Sequence, residues 1–165
     1  MKELLVVRHG KSSWDAPQLA DRERPLNKRG RRDGPDMGRR LRSRGMIPAR
    51  VVTSDAARAR ETAALLADAL GIEAAAIVVE PRLYAADADA VRAVVAALPD
   101  DADRVALVGH NPALHEFLQA ASDLRVANFP TAAVACLRFP VSHWREAATV
   151  PAEAFDYDFP KSGRR

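Results

Sequence analysis

Leu4-Leu-Val-Val-Arg-His-Gly10 decides how the 165-residue chain is read. Four apolar residues run without a break into an arginine, a histidine and a glycine. Such a run, too short for a typical helix and ending on polar residues, reads as a buried strand over Glu3–Arg8 that opens into a loop. The next polar stretch, Trp14 to Pro25, reads as surface loop. Asn27 can cap a helix from about Lys28 to Arg44, with Gly45 as its stop; its many arginines predict a solvent-exposed face.

The same grammar recurs downstream. Arg50-Val-Val-Thr-Ser54 reads as a second strand, and Ser54 or Asp55 can cap a helix reaching about Leu70 before Gly71. Ala59, Ala63, Leu66, Ala67 and Leu70 give that helix a narrow apolar face. Ile77–Val79 is a third strand candidate, and Asp87 leads an Ala/Val-rich helix ending near Pro99. Arg104-Val-Ala-Leu-Val-Gly109 reads as another central strand. Pro112 suits the opening turn of the helix after it, where its missing N–H is not needed, and Leu114, Phe117, Leu118 and Ala121 share one face. Thr131–Phe139 reads as a strand, 145–150 as an edge strand beside it. Strands alternating with helices predict a single-domain three-layer α/β/α sandwich on a mostly parallel sheet. The domain is drawn at residues 1–158, with 159–165 a flexible tail.

Composition bounds the function. The chain is 48% hydrophobic and 28% charged, as a globular domain is. Lys and Arg number 25 against 22 Asp and Glu, an excess of three that arginines in an anion pocket would contribute to. Acidic or phosphorylated substrates fit this balance as well as a polynucleotide does. No recognised aromatic–basic module or zinc finger supports specific nucleic-acid binding. Cys136 is the only cysteine, so no intrachain disulfide and no cysteine-based zinc cluster can form. The Leu4–Val7 run is far short of a secretory core or membrane span. A cytoplasmic protein without membrane attachment is the expectation.

Three segments can carry chemistry. In Arg8-His9-Gly10, a strand end holds an imidazole rigidly, and neutral imidazole has a lone pair for attack on phosphorus. Its other nitrogen needs an acceptor that fixes the tautomer, for which a backbone carbonyl would serve. Arg8 has several donors for phosphoryl oxygens. In Ser54-Asp-Ala-Ala-Arg58-Ala-Arg60-Glu-Thr-Ala63, Arg58 falls near the start of a helix, where backbone donors also favour an anion; Arg60 points roughly the opposite way. A soluble helix with ordinary surface arginines explains that segment equally well. In Val108-Gly-His110-Asn-Pro112, His110 can contact a transferring phosphoryl group and Asn111 can cap the helix, with a plain histidine-containing turn as the competing explanation.

Together these segments resemble the histidine phosphatase superfamily, also called phosphoglycerate mutase-like. The resemblance is strongest to its short bacterial phosphohistidine phosphatase branch. Leu5-Val-Val-Arg-His-Gly10 matches the N-terminal pattern and Ser54–Ala63 the downstream arginine motif. Gly109-His-Asn-Pro112, Pro130-Thr-Ala-Ala-Val134 and Arg24-Pro-Leu-Asn-Lys-Arg-Gly30 fit as well. The resemblance implies a phosphate pocket at the carboxyl edge of the sheet, His9 as phosphoryl acceptor, and Arg8, Arg58 and His110 as phosphate ligands. Arg24 is a further candidate for charge stabilisation on the substrate side.

One departure bears on the substrate. Many mutases and phosphomonoesterases of the family place a glutamate two residues after a leucine beyond the third strand. Here the corresponding stretch is Leu83-Tyr84-Ala85, so that acid is missing. An alkoxide leaving group needs a proton and imidazole leaves more readily, which favours cleavage of a phosphohistidine P–N bond in a protein. Glu80 or Asp87 remains as a proton source if the loop folds differently. A phosphomonoesterase for small molecules and a non-catalytic phosphate-binding protein are the alternatives. The scheme requires no metal and no cofactor. His115 flanks the apolar stripe of its helix, Cys136 reads as a small core residue, and Trp14 either lines an entrance or packs on its own loop. The basic cluster Lys28, Arg29, Arg31, Arg32, Arg39, Arg40, Arg42 and Arg44 either solvates a helix or attracts an acidic partner carrying the phosphohistidine.

Overall fold

The first strand sits in the middle of the sheet because its side chains have a core on either side. In the computed structural model, which describes residues 1–164, β1 (Lys2–Arg8) alternates between two buried clusters. Leu4 and Val6 join the apolar side chains of α3 (Ala88–Ala96) and α4 (Ala113–Ala121). Leu5 and Val7 join those of α1 (Lys28–Ser43) and α2 (Ala57–Leu70). Side chains on a strand alternate between faces, so one apolar run serves both cores. The result is the α/β/α sandwich anticipated above.

The other strands are β2 (Arg50–Thr53), β3 (Ile77–Val79), β4 (Arg104–Gly109), β5 (Val134–Phe139) and β6 (Glu153–Asp158), in the order β3-β2-β4-β1-β5-β6. The first four in this order run parallel, and β5 is antiparallel to both β1 and β6. Register then positions the site. Arg8 pairs with Gly109, so the next residues, His9 and His110, leave neighbouring strands side by side. Thr53 pairs with Val108, which brings Ser54 and the start of α2 to the same edge. In open α/β sheets, ligands bind beyond these carboxyl ends.

Several local readings change. Residues 144–148 form a 3-10 turn rather than an edge strand, and the edge is β6 instead. Trp144 is the reason: its indole is fully buried, packs against Phe139 and donates to the Ala102 carbonyl. Ala56, not Ser54 or Asp55, occupies the α2 cap, while Ser54 Oγ accepts from the Ala56 N–H. Asn111 does not cap α4; its amide donates to the Phe129 carbonyl. The arginines of α1 are not all solvated, because Arg40 is buried against Asp158. Residues 159–164, set apart above as a tail, include a 3-10 turn at Pro160–Ser162 whose carbonyls and hydroxyl accept from Arg40. Residue 165 lies outside the described residues. Among the described residues, no helix is long and apolar enough to cross a membrane.

Candidate active site

The backbone of His9 is fixed from two sides. Its N–H donates to the Gly109 carbonyl at 3.1 Å, and its carbonyl accepts from the Ala132 N–H at 3.0 Å. Nδ1 lies 2.7 Å from the Gly10 carbonyl oxygen. A carbonyl only accepts, so Nδ1 carries the proton and Nε2 keeps its lone pair. The acceptor left unassigned by the sequence is thus the next residue's own backbone. Gly10 N–H in turn donates to Thr62 Oγ1, which donates to the Arg58 carbonyl; α2 therefore braces the loop and supplies a pocket arginine at once.

His110 faces His9 with ring centroids 5.1 Å apart, and its Nε2 lies 2.7 Å from Ser54 Oγ. Arg58 donates through Nη1 to the Asp21 carbonyl at 2.7 Å and through Nη2 to the Asp21 carboxylate at 3.0 Å. Arg8 donates through Nη1 to the Phe129 carbonyl at 3.1 Å. Arg60, by contrast, is exposed. Six buried side-chain nitrogen or oxygen atoms among the described residues have no hydrogen-bond partner, and Arg8 Nε, Arg58 Nε and His110 Nδ1 are three of them. Buried polar atoms are normally paired, so three orphans on side chains gathered around one imidazole mark a place suited to an oxyanion.

The electrostatics keep both rings neutral. Burial, helped by the charges of His110, Arg58 and Arg8 and opposed by the Gly10 carbonyl, lowers His9 to about 3. Burial and Arg58 lower His110 to about 4. At neutral pH the pocket therefore contains two guanidinium cations and two uncharged imidazoles, one with an available lone pair.

The rim joins the predicted Arg24 to Asp21, Arg22 and Tyr84, to which the sequence reading gave no role. Asp21 Oδ2 accepts from both Arg58 and the Tyr84 hydroxyl, the latter at 2.6 Å, and Asp21 Oδ1 accepts from Arg24 Nε at 3.1 Å. These donors hold the Asp21 carboxyl well below the usual carboxylate range, the Tyr84 hydroxyl foremost. The Tyr84 ring meets His110 edge-on at 5.7 Å, and the Arg22 guanidinium lies over the ring 4.4 Å from its centroid. Arg24 lies on the far side of Asp21, bound to Ser12 Oγ and the Ser13 carbonyl under an exposed Trp14 ring. Its observed contacts brace the 13–25 loop. Asp21 sits in a polar loop without periodicity, and only its neighbour motif at 24–30 signalled that the loop is anchored. Of the two acids held in reserve, Glu80 is bonded to Arg82 and Asp87 caps α3. His115 donates to or accepts from no pocket side chain; its Nε2 lies 2.9 Å from the Val126 carbonyl.

Comparison with known proteins bears on the family and the fold. The model of the histidine phosphatase superfamily (branch 1) matches residues 4–88. An uncharacterised protein of Mycobacterium tuberculosis is 33% identical over 165 residues, covering 94% of this chain and 100% of its own. An uncharacterised chloroplast protein of Arabidopsis thaliana is 43% identical over 61 residues, which are 37% of this chain but only 28% of the plant protein. Among solved structures, a protein of Agrobacterium tumefaciens provisionally named phosphohistidine phosphatase SixA superposes with a TM-score of 0.79 at 26% identity. That match covers 96% of this chain and 99% of the other.

Proposed function

Because the chain belongs to the histidine phosphatase superfamily, we propose that it is a phosphatase working through a phospho-His9 intermediate, with phosphohistidine in a protein as its substrate. His9 Nε2 attacks phosphorus while Arg8, Arg58 and His110 hold the equatorial oxygens. The P–N bond to the leaving imidazole breaks, and its electron pair returns to that nitrogen. A leaving ring protonated beforehand on its remote nitrogen departs neutral. Water then attacks phospho-His9, the P–Nε2 pair returns to the ring, and orthophosphate and a proton are released.

The observation that carries the substrate assignment is the rim. Tyr84 spends its hydroxyl proton on Asp21, and Asp21 is held ionised by Tyr84, Arg58 and Arg24. Glu80 is likewise kept ionised, chiefly by Arg82. The rim therefore presents Asp21 as an anion, and neither Asp21 nor Glu80 stands ready as a carboxylic acid. That arrangement handicaps an ester, whose alkoxide must be protonated as it leaves, and suits a leaving group that brings its own proton. The similarity to the Agrobacterium protein points the same way.

The decisive measurement is rapid quenching with a 32P-labelled phosphohistidine peptide. Acid-labile, base-stable label is expected on the wild-type chain and none on His9→Ala, with orthophosphate release lost by more than ~10³-fold in the variant. Wild-type release rates from His9→Ala would overturn the nucleophile. A higher kcat/KM for sugar or aryl phosphates than for the phosphohistidine peptide would overturn the substrate class in favour of a small-molecule phosphomonoesterase.

A further inference from the structure

The basic cluster of α1 is divided by the fold into two unlike halves. Arg40 and Arg44 are turned inward onto Asp158 and Asp156. Arg29, Arg32 and Arg39 line an open groove of about 300 Å³ together with Lys161, with the inward Arg40 at its base. The carboxylates in its wall are already engaged: Asp33 is shared by Arg29 and Arg32, and Asp36 bonds Arg40 at 2.8 Å. Arg32 and Arg39 are exposed, with side chains 71% and 65% accessible.

This groove runs into the neighbourhood of His9. Arg29 and Lys161 also line an adjoining cavity of about 290 Å³ whose far wall is Pro130 and Thr131. Thr131 precedes Ala132, whose N–H holds the His9 carbonyl. Arg29 precedes Gly30, whose backbone lies against Gly10, the acceptor of His9 Nδ1, and so close to Lys11 that a Cβ on Gly30 would collide with the Lys11 carbonyl. Both walls of the groove thus begin one residue from the backbone that fixes the nucleophile. Register makes this general: Asp158 pairs with Val134, so the 159–161 turn leaves the sheet at the same edge as the pocket.

Resting on the phosphohistidine reading above, we propose that this groove is a docking channel for an acidic segment flanking the phosphohistidine of the partner protein. From Arg29 to Arg39 the helix rises about 15 Å, which an extended segment covers in about five residues. Carboxylates spread over about five residues, on the side of the phosphohistidine that passes Arg29, therefore match the channel. A protein segment is favoured over a nucleic acid because the channel mixes cations with Asp33, Asp36, Pro160 and the half-buried Phe159. Discrete carboxylates can avoid the two aspartates, whereas a continuous phosphate backbone cannot.

The test compares two synthetic phosphohistidine peptides, one with glutamates at positions two to five from the phosphohistidine and one with glutamines there. Wild type is expected to favour the acidic peptide by about tenfold in kcat/KM, mostly through KM, with the ratio falling as salt is raised. In R32Q/R39E/K161E the ratio falls to about one, while turnover of phosphoimidazole stays within about twofold of wild type; Arg145→Glu, at the opposite sheet edge, retains the preference. A wild-type ratio of one overturns the channel. So does loss of phosphoimidazole turnover in step with the peptide, both in that variant and in the milder R32Q/R39Q/K161Q. Failure of wild type to turn over phosphoimidazole at all would instead reject the phosphohistidine reading itself and the channel with it. Micromolar binding of a single-stranded oligonucleotide, lost in the variant and without any peptide preference, would assign the groove to nucleic acid.

Discussion

Two buried arginines on adjacent helices, Arg40 on α1 and Arg58 on α2, solve the same problem in opposite ways. Their side chains are 4% and 8% exposed. Each leaves Nε without a partner. Arg40 spends its remaining donors on Asp158, Asp36, Ser162 and two carbonyls, and Asp158 is itself buried. Arg58 spends both of its Nη groups on one residue, Asp21, whose side chain is 51% exposed on a surface loop. One charge is neutralised permanently inside the fold. The other has a counter-charge that a displaced loop can take away. Burial alone does not distinguish a structural arginine from a working one; the exposure of its partner does.

That contrast breaks most visibly by mutation of each arginine in turn. Arg40→Ala leaves the buried Asp158 with Arg44 as its remaining cation and strips Asp36 and two carbonyls of their donor, which costs about 1–3 kcal/mol of folding stability in urea or guanidinium denaturation. Turnover per folded molecule is expected to stay near wild type. Arg58→Ala reverses the pattern: kcat/KM falls ~10²- to 10³-fold, as for loss of a main transition-state donor, while stability changes little because Asp21 relaxes into solvent. Equal stability losses in the two variants would erase the distinction. A double change, Arg40→Met with Asp158→Leu, sharpens it by recovering part of the lost stability, since removing both buried charges is cheaper than removing one, while Arg44 keeps Asp156.

A smaller effect probes the removable partner itself. In Asp21→Asn the amide still accepts from Tyr84 but no longer competes as a charge for Arg58. Affinity for orthovanadate or orthophosphate is expected to rise by about three- to tenfold, the scale of one partly exposed charge pair. Turnover of an aryl phosphate should rise relative to phosphoimidazole, because a carboxylate at the rim favours a leaving ring that is protonated and cationic. Isothermal titration with vanadate and the ratio of kcat/KM values for the two substrates read these changes. Weaker vanadate binding would make Asp21 a support for Arg58 rather than a competitor.

The walls of the pocket were legible in the sequence and the rim was not, for a physical reason. Arg8-His9-Gly10 and Gly109-His110 lie at the ends of apolar runs, so burial periodicity places them at a strand edge, and parallel register does the rest. Arg24-Pro-Leu-Asn-Lys-Arg-Gly30 is also intelligible in hindsight from local contacts: Leu26 is buried, Asn27 caps α1 through the Gly30 N–H, and Gly30 permits the helix to touch Lys11. Asp21 and Tyr84 are 63 positions apart, follow β1 and β3 respectively, and meet because those strands share one sheet. Nothing in a one-dimensional pattern reports such a meeting. Trp144 misled for the complementary reason: a short Ala-containing run looks like an edge strand until an indole fixes it as a turn. Arg40 misled because the eight cations of this cluster look alike until the end of β6 supplies Asp158 for Arg40 and Arg44.

A change of pH also distinguishes the two regions. His9 and His110 have their protonation depressed to about 3 and about 4 by burial and neighbouring cations, whereas in the unfolded chain an imidazole titrates near 6.5. Below that value the unfolded state binds protons that the native state refuses, so stability falls as pH falls, by at most about 1.4 kcal/mol per pH unit per histidine. The Asp158 cluster behaves differently. Its carboxyl is burdened by burial but held below the usual carboxylate range by Ser162, Arg44, Phe159 N–H and Arg40. Its contribution is therefore intact above the unfolded carboxylate value and is lost only as pH drops through the lower native one. Between pH 6.5 and 5 the pocket is the part that senses acid and the ion cluster is silent. Denaturation at pH 6.5 and 5.0 should show a loss in wild type that is roughly halved in His9→Ala and undiminished in Arg40→Met/Asp158→Leu. A loss of the same size in His9→Ala as in wild type would mean that His9 is not held neutral by the fold, and with it would go the free lone pair on Nε2 at acidic pH.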